Sequence, residues 1–141
     1  MAALLGDAAM IAYNNRVAAR LAGVRNTMKT ELGLDESDII DLPILYANNA
    51  GLGGFFADAF TGGVVNMLVA DGHCGIAKPF GPVVGGLDQF EQDVRGKLQP
   101  LGLTLHFIDD WTAYHLNLGE VHCGTHTLRH ETQVKWWQFE P

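Results

Sequence analysis

VVNMLVADGHCGIAKPFGPVVGGLDQFEQDVRGKLQPLGLTLHFI, residues 64–108, decides the fold class through its punctuation. Its first segment, VVNMLV at 64–69, is a short, nearly continuous apolar run between Gly63 and Asp71-Gly72. A run of that length suits a buried strand better than a helix. The following GIAKPFGPVVGG is excluded from helix by Pro79, Pro82 and the glycines around them. Leu87, Phe90, Val94 and Leu98 then recur at steps of three or four, which predicts an amphipathic helix up to Pro100, weakened by Gly96. LTLHFI, residues 103–108, reads as a strand. Helices alternating with strands require an α/β assembly.

Upstream, Met10, Tyr13, Val17, Leu21, Val24, Met28 and Leu32 keep one helical face turned inward, with Asn14, Arg16, Arg20, Arg25 and Lys29 on the others. Gly33 suits a left-handed cap, so this helix is predicted from about residue 7 to 32. ESDIIDLPILY predicts a short strand near an edge or bend, because Pro43 removes one ladder donor. NNAGLGGFFADAFTGG, residues 48–63, reads as a loop anchored by Phe55, Phe56 and Phe60. Downstream, a segment with Trp111, Tyr114 and Leu116 leads to GEVHCGT at 119–125, and VKWWQF is a β-favouring run. The first helix has nothing before it to pack on, so the chain, a single segment 1–141, is expected to be part of a larger assembly.

The 141 residues are 48% hydrophobic and 18% charged, the composition of a folded chain with neither a disordered signature nor a membrane span. Nine Lys+Arg against 16 Asp+Glu give a net charge of −7, which argues against nucleic acid and anionic lipid as partners and favours a cationic ligand. More than half of the 17 glycines fall between residues 51 and 86 without a repeat, which marks loops. Two cysteines are too few for a disulfide framework, and MAALLGDAAM has no basic n-region, so a reducing, cytoplasmic setting without an export signal is expected.

Cys123, in GEVHCGT, has glycines that allow close approach by a ligand, and the polar neighbours Glu120 and His122 that a reactive thiolate needs. The plain alternative is a buried cysteine acting as a small hydrophobe. Cys74, in DGHCGI, reads as a turn after a strand and is open to the same two interpretations. A third reading is zinc held by Cys123, His126 and His130 in C-x2-H-x3-H spacing, with His73-Cys74 adding a fourth ligand. No CxxC accompanies it, and six histidines give near-matches by chance. His106 and His115 read as surface or core-satisfied residues, and Trp111, Trp136 and Trp137 as packing.

TELGLDESDIIDLPILY, VVNMLV, HCGIAKPFGPVVGG, LQPLGLTLHFIDD, YHLNLGEVHCGT and KWWQFEP together resemble the C-terminal part of the protein-arginine deiminases, over about residues 15–141. The resemblance implies roughly the last two ββαβ modules of a pentein-type pseudo-fivefold α/β propeller. It implies that Cys123 is the nucleophile, and it gives Cys74 no role. The implied reaction is attack of the thiolate on the guanidinium carbon of a peptidyl arginine, loss of ammonia, and hydrolysis of the thiouronium to citrulline.

The family takes its guanidinium-clamping carboxylates and a His-x-Asp pair from modules upstream. No histidine here is followed two residues later by aspartate; the nearest pattern is His115-Leu116-Asn117. The chain alone is therefore expected to be inactive. The family's substrate-contacting arginine is replaced by Asn117, and the usual asparagine after HCGT by His126. Calcium is implied by the resemblance, with its main ligands outside this chain, and arginine-containing proteins or peptides are the implied substrates. Open module edges make self-association an expectation. The rival expectation is a non-catalytic remnant kept for binding or assembly.

Overall fold

The computed structural model describes residues 6–48 and 56–128. Helix α1 (Ala8–Leu32) starts where the Asp7 carboxylate accepts from Ala9 and Met10 N–H at 2.9 and 3.1 Å, and ends at Gly33, whose φ of 68° lets its N–H turn back to Lys29 O. The predicted limits hold. The inward apolar face does not: Val17 is buried, but Leu21, Val24, Met28 and Leu32 are exposed. Polar bonds attach the helix instead. The Asn14 amide donates to Tyr46 O at 3.0 Å and accepts from Tyr46 N–H at 2.9 Å, mimicking a neighbouring strand. Arg25 pairs with both Glu36 and Asp41.

The predicted strand in ESDIIDLPILY is confined to its end. Residues 36–38 form a single 3-10 turn boxed by Asp35 and Asp38, and pairing begins only at β1 (Tyr46–Asn48), beyond Pro43. The predicted loop 48–63 contains a strand, β2 (Ala57–Ala59), antiparallel to β1 with Tyr46 opposite Ala59. Phe55 lies outside the described residues.

The second sheet has the order β3-β4-β7. The run at 64–69 is a strand only from Leu68, giving β3 (Leu68–Ala70); before it Asn66 N–H donates to Gly63 O at 3.0 Å, closing a turn that buries Val64. Strand β4 (His73–Ala77) runs antiparallel to β3 and parallel to β7 (Thr104–Ile108). Cys74 therefore lies on a central strand and not in a turn, with no exposed surface.

Between β4 and β7 come a hairpin, β5 (Val83–Val84) and β6 (Leu87–Asp88), turned by Gly85 and Gly86 at φ of 59° and 80°, and helix α2 (Gln89–Leu98) capped by Asp88. Cys74 and Ile76 of β4, Val64, and Val94 and Leu98 of α2 form the core, with Met67, Leu105 and Phe107 packed around it. The VKWWQF segment lies outside the described residues.

The opposite face of β4 positions the next region. A Cβ at Gly75 would stand 3.5 Å from Val121 Cγ1, so the strand surface there is bare and the buried Val121 sits on it. Among the described residues no helix is long and apolar enough to cross a membrane. Ile76→Ala, which empties the centre of the core, is expected to lower stability by ~2–5 kcal/mol, read as a fall in the urea midpoint. Exposed Val69→Ala is expected to stay within about 0.5 kcal/mol of wild type.

Candidate active site

After β7 the chain makes two tight turns. In the first, Tyr114 and His115 N–H groups donate back to Asp110 O at 2.8 and 3.2 Å. Residues 115–117 then close a 3-10 turn that ends at Leu118, with φ of 64°. The second turn, Val121–Gly124, carries Cys123, whose N–H donates to Glu120 O at 2.9 Å. Gly124 lets the Tyr114 ring lie against the turn: a Cβ would stand 2.3 Å from Tyr114 Cζ and displace the ring.

The two cysteines occupy opposite environments. Burial pushes the Cys74 thiol up, and the hydrophobe reading describes it. Cys123 is exposed, and its thiol is lowered, first by a backbone hydrogen bond with Glu120 and then by the Asn66 side chain; Asn66 Nδ2 lies 2.9 Å from Sγ. The Glu120 charge acts in the opposite direction. Asn66 was not singled out in the sequence, although it is the one polar residue in the apolar run 64–69.

Beneath the turn lies a buried polar group. Glu120 Oε1 accepts from Gly63 N–H and from His115 Nδ1–H, each at 2.8 Å, and the His115 ring stacks on Trp111 with centroids 4.1 Å apart. Asp110 is 4% exposed and Glu120 6%; Asp110 Oδ2 and Glu120 Oε2 accept no hydrogen bond from a donor among the described residues. The Asp110 carboxyl is raised, first by burial and then by the charge and hydrogen bond of Glu120. A cleft of about 290 Å3 opens beside this group, lined by Tyr46, Phe56, Asp58, Asn66, His115 and Glu120 among others.

The family model described as Protein-arginine deiminase (PAD) matches residues 1–138. The chain belongs to this family. It is 45% identical over 138 residues to protein-arginine deiminase type-3 of Homo sapiens, covering 98% of this chain and 20% of that protein. It is 48% identical over 117 residues to the type-1 enzyme of Mus musculus, covering 83% of this chain and 17% of the relative. The type-4 protein of Homo sapiens is 44% identical over 139 residues, with 98% and 20% covered. The chain thus spans about a fifth of the length of these deiminases.

Asn117 is exposed, and its amide donates to Ala113 O at 3.4 Å. His126 is exposed, and His130 lies outside the described residues, which bring no three Cys, His, Asp or Glu side chains together around a metal. They do not fit calcium, which takes six to eight oxygen ligands.

Two expectations follow from this geometry. Asn66→Ala removes the donor to Sγ, so half-maximal alkylation of Cys123 is expected at higher pH, followed by peptide-resolved iodoacetamide labelling; an unmoved profile would show that the amide does not hold the thiolate. A carboxyl raised on folding costs stability once pH exceeds its unfolded value, so the Asp110 contribution is fully favourable below pH ~4 and declines above it. Asp110→Asn is expected to raise the urea midpoint at neutral pH and to lose that advantage in acid. A lower midpoint at neutral pH would show that the carboxylate is needed.

Proposed function

We propose that this chain is the nucleophile-bearing segment of a protein-arginine deiminase, a hydrolase that converts peptidyl arginine to peptidyl citrulline and ammonia. The observation that carries the reading is the exposed Cys123 thiol, lowered in its turn and bonded by Asn66, in a chain of this family. In the proposed reaction the Cys123 thiolate forms a bond to the guanidinium carbon. The C–N bond to one amino group breaks, and that group takes a proton and leaves as ammonia. Water then adds to the thiouronium carbon, the C–S bond breaks, and the thiolate returns as citrulline forms.

Within this chain the residues do three things. Asn66 Nδ2 donates to the attacking sulfur. Glu120 and Gly124 set the turn that presents it. Asn117, where the family has an arginine, offers an exposed amide to the substrate backbone. The net charge of −7 favours a cationic side chain. The guanidinium-holding carboxylates and the proton-transferring histidine belong, in this reading, to upstream modules of a pentein-type propeller, of which β3, β4, α2 and β7 form a ββαβ unit. Calcium would act on those modules, and a reducing, cytoplasmic compartment would keep Cys123 a free thiol.

The chain alone is expected to yield no citrulline from a blocked arginine amide, with or without calcium, because positioning and proton transfer are each worth ~10²-fold or more. A hybrid in which residues 1–138 replace the matching fifth of the human type-3 relative supplies the rest. That hybrid is expected to form citrulline, and its Cys123→Ala variant to lose at least ~10²-fold. A folded hybrid without activity would favour the non-catalytic remnant. Activity of the isolated chain that disappears in Cys123→Ala would show that its own acids complete a site.

A further inference from the structure

Residues Gly63–Asn66 and Glu120–Cys123 form two single turns set back to back. Each is closed by its own bond, Asn66 N–H to Gly63 O at 3.0 Å and Cys123 N–H to Glu120 O at 2.9 Å. Three bonds cross between them: Gly63 N–H to Glu120 Oε1, His122 N–H to Asn66 O at 3.2 Å, and Asn66 Nδ2 to Cys123 Sγ. We propose that Glu120 is a positioning residue for Cys123, its buried carboxylate pinned by Gly63 N–H and His115 Nδ1–H so that the two turns keep the register in which Asn66 reaches the sulfur. The proposal rests on the reading of Cys123 as the nucleophile.

The fit is close. A Cβ at Gly63 would stand 3.1 Å from Glu120 Oε1, so a side chain there would make the carboxylate give way by a few tenths of an ångström. The carboxylate is buried and takes two donors on one oxygen, an arrangement that fixes its direction. Its geometry and its charge pull the thiol in opposite directions. The turn it holds lowers the thiol, while its negative charge raises it. Asp110 and His115 face Glu120 from the preceding turn, Tyr114 lies over Gly124, and His122 adjoins the sulfur in sequence. Tyr46 and Asp58 line the same cleft from β1 and β2.

Those opposed effects make the role testable on the full chain by peptide-resolved iodoacetamide labelling across pH. In Glu120→Gln an amide oxygen keeps the acceptor for Gly63 and His115, and the amide nitrogen donates to Asp110, so the turns hold while the charge is gone. The half-labelling pH of Cys123 is expected to shift down. In Glu120→Ala the post is lost and the half-labelling pH is expected to shift up toward an ordinary thiol, ~8.5.

The buried Cys74 is the folding control, since it labels only when the core opens. If Ala exposes Cys74, Glu120→Asp replaces it, with the same upward shift expected from its shorter reach. If Gln exposes Cys74, the charge holds the fold and not the thiol, and the proposal is overturned. If Gln and Ala move the profile the same way, or not at all, while wild-type Cys123 still labels at lower pH than an ordinary thiol, the positioning role fails and the nucleophile reading stands. If wild-type Cys123 labels as an ordinary thiol, both fail.

Discussion

The bond between Gly63 N–H and Glu120 Oε1 is the constraint on which the site depends, because it joins two loops that no strand pairing joins. One loop leads into β3 and the other follows β7, at opposite edges of the same three-stranded sheet. Val121 against β4 sets the height of the second turn, and the backbone bond from His122 N–H to Asn66 O adds a second tie between the loops. With these ties, an amide from the first loop meets a sulfur from the second. The cost of burying a carboxylate is offset locally by two donors and by a neighbour, Asp110, whose carboxyl favours keeping its proton.

The sheet and its helix form a conventional core, whereas α1 is held differently. An amide pair at Asn14–Tyr46 and the Arg25 ion pairs fix its direction, while of the apolar side chains that its periodicity groups together only Val17 is buried and Leu21, Val24, Met28 and Leu32 are exposed. The helix is thus attached mainly by polar bonds, with much of its apolar face open.

How much was legible in the sequence followed how local the cause was. Asp7 and Gly33 fix the ends of α1 by bonds within a few residues, and Leu87, Phe90, Val94 and Leu98 mark α2 by spacing alone. Strand β2 was hidden because Ala-Asp-Ala has no β preference of its own and is a strand only by pairing with β1. Val64 was read into a strand because burial in a turn and burial in a sheet look alike in a sequence. Cys123 was singled out through its neighbours and through the resemblance. Asn66 was not, because its partner lies 57 residues away and nothing in the local pattern tells a donor from an interruption.

That separation has a consequence for the life of the thiol. Two of the three bonds that cross between the turns, Gly63 to Glu120 and Asn66 to Cys123, span 57 residues, so neither exists in a chain that has not closed the long loop between them. A nascent or unfolded copy lacks the Asn66 donor, and only bonds within the local Glu120–Cys123 turn are left to act on the sulfur. The full set of contacts around this sulfur is therefore completed only by the finished tertiary structure.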